Sequence, residues 1–180
     1  MIPELETARL ILTPLELRDA GQVQSLFPHW EIVKFLASSV PWPYPADGAH
    51  MFFRDVALPA MDRGDAWHWM LRLKGEPEKI IGSIGLIRGD EGNRGFWLGT
   101  QWQRRGLMTE ACDPVTDYWF ETLGFPVMRV PKAIANIESR RISERQGMRV
   151  IAVEERDYVS GRWPSEIWEI TAEEWRERRR

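Results

Sequence analysis

One cysteine in 180 residues, Cys112, leaves no disulfide framework and no multi-cysteine zinc site. Histidine is nearly as scarce. His29, His50 and His68 stand far apart and never in the i, i+4 spacing of a helical metal site, so no metal is expected. No apolar run approaches the roughly 20 residues needed to cross a bilayer, and the early acids Glu4 and Glu6 interrupt any apolar leader. A net charge of −3 gives no electrostatic footprint for nucleic acid or a membrane surface. A cytosolic enzyme or binding domain remains. Repeats and low-complexity segments are also missing, so the chain is expected to form one domain over 1–180, with a core at about 8–172 and a solvated basic tail at 173–180.

Ten tryptophans are the unusual abundance. Trp67, Trp69, Trp97, Trp119 and Trp168 fall in regular patterns and read as core, whereas Trp30, Trp42 and Trp163 lie near prolines or loops and read as pocket lining or plain packing. Ala8 to Thr13 reads as a first strand, and helical patterns follow over Arg18 to Phe27 and Trp30 to Leu36. The aromatic-proline stretch Val40 to Pro45 cannot continue a helix. From Ala46 a helix is expected to bury Ala49, Phe52, Phe53, Val56 and Ala60, with Pro59 kinking or shortening it.

At Ala66 the apolar period changes to two. Trp67, Trp69, Leu71 and Leu73 should share one face, with His68, Met70, Arg72 and Lys74 opposite. Turns at Gly75–Glu78 and Gly89–Gly95 make this the first of three strands in an antiparallel meander ending at Phe96-Trp97-Leu98. Then come a helix over Gly106 to Leu123, a strand at Met128 to Ile134, a helix at Ile137 to Gln146, and strands at Met148 to Arg156 and Glu166 to Thr171. The order defines one α/β domain with a mixed, mostly antiparallel central sheet flanked by helices.

The chemistry concentrates at Gln103-Arg104-Arg105-Gly106-Leu107-Met108-Thr109. A strand ends, a loop carries one glycine among arginines, and a helix begins. Unpaired amides and the helix dipole at that point suit a pyrophosphate, and Gly106 lets the backbone come close. On physics alone an ordinary strand-to-helix loop fits as well. The nucleotide P-loop and the dinucleotide glycine pattern are both absent.

Gln103-Arg104-Arg105-Gly106-Leu107-Met108 resembles the Q/R-x-x-G-x-G/A coenzyme A loop of the GNAT acetyltransferases, with Met108 departing from the usual Gly or Ala. Continued through Thr109-Glu110-Ala111, it resembles the RimJ/RimL branch. Three further stretches are similar to that branch in the same order: Glu6-Thr7-Ala8-Arg9-Leu10, Ile81-Gly82-Ser83-Ile84-Gly85, and Asn136-Ile137-Glu138-Ser139 closing at Gly147-Met148. The resemblance covers nearly the whole chain.

It implies the GNAT fold and transfer of an acetyl group from acetyl-CoA to a primary amine by direct attack in a ternary complex. The amine would be a protein or peptide N-terminus, an amino acid or a small amine. It also implies that the coenzyme is held by Trp97, Leu98, Gln103 to Thr109, Asn136 and Ser139. In that scheme the Leu98 N–H stabilises the oxyanion at a bulge near Gly99, and Ser139 protonates the departing thiolate. Ser139 reads equally well as a cap or surface hydroxyl, and Asn136 as a helix N-cap. No carboxylate stands at Gly99-Thr100-Gln101, where that branch often places its base, so the base is left unassigned, with His68 as the nearest titratable alternative to a water relay or to no base at all for an α-amine. Trp30, Trp42, Tyr44, Tyr158 and Trp163 are expected to shape the acceptor cleft. Relatives are often homodimers. The alternative reading is a non-catalytic coenzyme A sensor on the same fold.

Overall fold

The computed structural model describes residues 1–180. A hairpin of β1 (Leu5–Glu6) and β2 (Leu10–Pro14) leads through a 3-10 turn into α1 (Ala20–Leu26) and α2 (Trp30–Val33). α3 (Gly48–Phe52) runs through a π turn at Phe53–Ala57 into α4 (Leu58–Arg63). The meander is β3 (Ala66–Leu73), β4 (Glu76–Ile87) and β5 (Arg94–Leu98). α5 (Leu107–Asp117) ends in a π turn at Tyr118–Thr122, followed by β6 (Val127–Ala133), α6 (Ile137–Arg145), β7 (Arg149–Tyr158), β8 (Gly161–Thr171) and α7 (Ala172–Arg178). None of the helices is long and apolar enough to cross a membrane.

The meander's two-residue period sorts its side chains as expected. Trp67, Trp69 and Leu71 join a core under α5, while Met70 joins a second core under α1 to α4. Each core has its own helical layer, so the sheet is covered on both faces.

Two expectations about helices need correcting. Over 48–63 the buried positions are Gly48, Ala49, Phe53 and Ala57, while Ala60 is half-buried and Phe52 and Val56 are exposed. The π turn just before Pro59 widens the repeat and rotates the apolar face off the regular 3.6-residue spacing. The basic C-terminus is no solvated tail. Thr171 and Glu174 close a capping box, and Trp175 buries its ring while its Nε1 donates to Asp117 at 2.8 Å. Its arginines face solvent and the single tryptophan anchors the helix.

The strands form two antiparallel ladders, β1-β2-β3-β4-β5 and β6-β8-β7. β5 and β6 meet only at one end, where Asn93 N donates to Arg129 O (2.9 Å) and Arg129 N to the Asn93 side chain (2.8 Å). Both strands leave that junction in the same direction, which makes the combined sheet mixed, and they then part. The opening lies between Gly95–Leu98 and Val130–Ala133. The anticipated bulge is absent: β4 and β5 stay in register from Gly82↔Leu98 to Leu86↔Arg94. Divergence from β6, not a bulge, exposes the strand. Gly99 serves packing instead, since a Cβ there would stand 2.6 Å from the Trp102 ring.

Candidate active site

A groove of about 1050 Å³ runs through the opening, from the start of α5, between β5 and β6, to α2 and the end of β7. Gly106 caps α5 with φ 74°, and no side chain caps the helix. Glu110 N is the first amide to bond back, to Gly106 O at 3.0 Å, so the N–H groups of Leu107, Met108 and Thr109 have no partner. Leu107 and Met108 bury their side chains in the core. That explains why methionine is tolerated at 108: only its backbone faces an anion.

The loop is latched from behind. Arg9 pairs with Glu110 (Nε to Oε2, 2.7 Å), and its Nη1 donates to Arg105 O at 2.9 Å. Thr7 Oγ1 and Arg9 N also donate to Glu110. Although partial burial works against it, these donors hold the Glu110 carboxyl below its usual range. Arg105 is therefore part of the latch and does not line the groove. Gln103 lines it, but its Nε2 donates to Leu98 O at 2.8 Å and so ties the loop to the strand.

Arg104 adopts φ 63° and reaches across the groove mouth to Glu138, Nε to Oε1 at 2.9 Å. Both partners are largely exposed, so the pair is weak and a diphosphate would compete for the guanidinium. Glu138→Gln should consequently tighten coenzyme A binding by about two- to threefold in calorimetry at low salt, a gain that vanishes at high salt.

The ladder fixes what β5 presents to the opening. Gly99 N donates to Ile81 O (2.8 Å) and Ile87 N to Asn93 O (2.9 Å), so the alternation assigns the amides of 95 and 97 to β4. Phe96 and Leu98 turn their N–H groups the other way, towards the gap. With Leu98 O occupied by Gln103, the Leu98 N–H is left as a fixed donor aimed into the groove. The Phe96 N–H is a second one, which the sequence reading did not single out.

From the opposite wall come Asn136 and Ser139. Asn136 is the residue before α6 but makes no capping bond, which leaves its carboxamide free towards the groove. Ser139 Oγ accepts from Lys132 Nζ at 2.5 Å. Lys132 is buried and lies 4.8 Å over the Phe96 ring. Burial, reinforced by the charge of Arg94, pulls its pKa down to about 7. Lys132 and Arg94 both escaped the sequence reading. The period-two alternation of β6, with Met128 and Val130 facing the core, could have placed Lys132 on the buried side.

His68 is not in the groove. It projects from β3 against Gly85 and Phe52, two strands away from β5. Burial lowers its pKa to about 4. The unfolded chain then binds a proton at pH 6.5 that the fold refuses, so stability is full above 6.5 and falls as pH drops towards 4. Denaturation of wild type should lose on the order of 2 kcal/mol across that window, and a His68→Gln variant should not.

Of the five aromatics expected at the acceptor end, only Tyr158 lines the groove, joined there by Phe35 and Trp97. Trp30 and Trp42 pack on each other outside it. Tyr44 packs on Phe27 and covers Gly48, and Trp163 packs on Phe35 while its Nε1 donates to Ser160. Their proline- and turn-rich surroundings gave no sign of which way the rings point. Two carboxylates line this end, Glu31 and Asp157. Glu31 is held by Lys34 at 2.7 Å, whereas Asp157 has only a loose contact with Arg162 at 3.4 Å. Carboxylates therefore border this end of the groove from α2 and β7, although none follows β5.

A helix start with free amides opens onto a parted strand pair with a fixed N–H donor, an arrangement with the donors and the length to take an extended anionic ligand. Residues 9–149 match the family described as Acetyltransferase (GNAT) domain, and the chain belongs to that family. Across 96% of its length it superposes on the ribosomal-protein-S5-alanine acetyltransferase of Vibrio fischeri, covering 98% of that chain (TM-score 0.80, 14% identity). It also superposes on RimL, a ribosomal L7/L12 alpha-N-protein acetyltransferase solved with coenzyme A, over 96% of this chain and 99% of that one (TM-score 0.80, 12% identity). At such identities the likeness establishes the fold. In sequence, Bacillus subtilis YdaF, assigned provisionally as a ribosomal N-acetyltransferase, is 32% identical over 72 residues. That stretch spans 38% of this chain and 39% of YdaF.

Proposed function

We propose that the protein is an N-acetyltransferase that moves an acetyl group from acetyl-CoA to a primary amine by direct attack in a ternary complex. The observation that carries this reading is the unbroken groove linking the free amides of Leu107 to Thr109, the inward Leu98 N–H and the carboxylate of Asp157. Diphosphate at the helix start leaves the pantetheine arm to run along β5 and past Asn136, whose free carboxamide matches the arm's amides. The Leu98 N–H then stands where the tetrahedral oxyanion develops, already oriented and already deprived of any other partner. Ser139 meets the sulfur from the opposite wall. Asp157, beside Tyr158, attracts the cationic amine and accepts a proton from it; an α-amine, with its pKa near ~8, needs little more.

The relatives named for ribosomal-protein acetylation favour a protein N-terminus as acceptor, in the cytoplasm, where acetyl-CoA meets nascent chains. Thiol release from acetyl-CoA should appear with peptides bearing a free N-terminal Ala or Ser and disappear when that terminus is blocked. Asp157→Asn should lower turnover at least tenfold with these peptides while leaving acetyl-CoA affinity within twofold. Thiol release indifferent to every amine offered would overturn the reading.

A further inference from the structure

The groove beside the Leu98 N–H is lined by two buried cations with no buried carboxylate to match them. Arg94 on β5 is 5% exposed; its Nη1 donates to Thr116 Oγ1 (2.8 Å) and to Gln146 Oε1, while Nε and Nη2 have no partner. Lys132 on β6 is 6% exposed and bonds only Ser139. The other groups packed near Lys132 offer it no anion. Cys112 on α5 is held as a neutral thiol by burial, and Glu166, opposite Lys132 on β8, is engaged twice by Arg140 at 2.8 and 3.0 Å. Charges buried without a counter-ion are costly, and an anion formed beside them is strongly favoured.

An ammonium has three donors and no lone pair. In the Lys132–Ser139 contact the serine oxygen must therefore accept, and its one hydrogen points elsewhere. No acceptor in the protein takes that hydrogen, and the Ser139 side chain lines the groove.

We propose that Lys132 is a positioning residue for acyl transfer: it turns the Ser139 hydroxyl towards the coenzyme sulfur and replaces the proton that the serine gives up. As the thioester C–S bond breaks, its electron pair moves to sulfur. The Ser139 proton passes to sulfur, a Lys132 Nζ proton passes to Ser139 Oγ, and the neutral amine left on Lys132 takes a proton from water after the thiol departs. The proton lost by the attacking amine leaves separately through the acceptor end, so the sum remains amine plus acetyl-CoA giving amide plus free thiol. A pKa near 7 lets Lys132 both give and recover that proton near neutral pH. The proposal rests on the acetyl-transfer reading of the groove.

Its test uses coenzyme A itself and needs no acceptor. Calorimetry first establishes binding, and the thiolate absorbance of the bound coenzyme is then followed against pH in wild type, Lys132→Met and Ser139→Ala. The thiol should ionise at least one pH unit lower in wild type than in Lys132→Met, with affinities at acidic pH within threefold of one another. In wild type alone, the preference for coenzyme A over desulfo-coenzyme A, which lacks only the sulfur, should change at least threefold across neutral pH. This second measurement decides the matter even if the variants fold poorly. An unshifted thiol in a variant that binds the coenzyme, or a constant preference ratio, rejects the role of Lys132 and leaves the groove assignment intact. Failure of wild type to bind coenzyme A at all removes both.

Discussion

Gly106→Asp should abolish coenzyme A binding, by about a hundredfold or more in calorimetry, while the protein should melt no earlier than wild type. Binding and folding respond separately to a carboxylate at this position. Position 106 is the N-cap of α5, with φ 74° and three unpaired amides behind it. A Cβ there meets nothing closer than Arg9 Nη2 at 3.5 Å, so a side chain fits. Aspartate tolerates the left-handed conformation better than most residues, and its carboxylate is a preferred cap for the amides two and three residues on. It therefore stabilises the helix while occupying, with the wrong charge, the donors that a diphosphate needs. A hundredfold loss corresponds to about 2.7 kcal/mol, well within what a carboxylate against a diphosphate costs in a partly desolvated site. Gly106→Ala is the control. It carries the backbone cost of about 1 kcal/mol without the charge, so it should lose only about fivefold in affinity and should lower stability instead. Equal affinities for wild type and the aspartate variant would place the anion site elsewhere.

The end of the groove at the α5 start was far more legible in the sequence than the end at Tyr158 and Asp157, and the difference is physical. A helix start after a glycine advertises free amides in one dimension, because the donors, the left-handed residue and the rim charges are neighbours in the chain. Position 108 illustrates this: helical geometry alone sends Met108 inward and leaves its backbone to the ligand. The rest of the groove is built from elements that lie far apart in the chain. Lys132 and Ser139 come from a strand and the following helix, Arg94 from another strand and Asp157 from a hairpin. Nothing local in the run Val130-Pro131-Lys132-Ala133 distinguishes a buried ammonium from a surface one. Only the divergence of β5 from β6 brings Lys132 to the groove, and that divergence follows from the single-ended Asn93–Arg129 junction. The aromatics failed for a related reason. Trp30, Tyr44 and Trp163 are large enough to line any cavity, but each finds a partner ring before it reaches the groove. The Glu6 to Arg9 segment presents the reverse case. It was recognised as a pattern without a purpose, and the structure supplies one, the Arg9–Glu110 latch that holds the loop around Gly106.

Lys132→Met should make the protein more stable, and by more at acidic than at alkaline pH. In the fold Lys132 loses its proton at about 7, against 10.5 in the unfolded chain. Between these values the unfolded state binds one proton more than the native state, so wild-type stability climbs as pH rises from 7 to 10.5. Below 7 the buried ammonium imposes its full cost. Methionine fills similar volume with no charge and removes that slope. Chemical denaturation at about pH 6 should therefore show the variant ahead by roughly 3 to 5 kcal/mol, the gap closing towards about pH 10. The orphaned Ser139 hydroxyl, half-buried and able to reach water in the groove, subtracts only modestly from the gain. A surface lysine would show no such slope. A pH-independent difference, or a less stable variant at about pH 6, would mean that the ammonium already has a counter-ion and that the groove wall is not electrostatically incomplete. The same variant is expected to bind coenzyme A while losing the depressed thiol ionisation. Gain in stability with loss of chemistry is what a charge retained for function, at the expense of folding, produces.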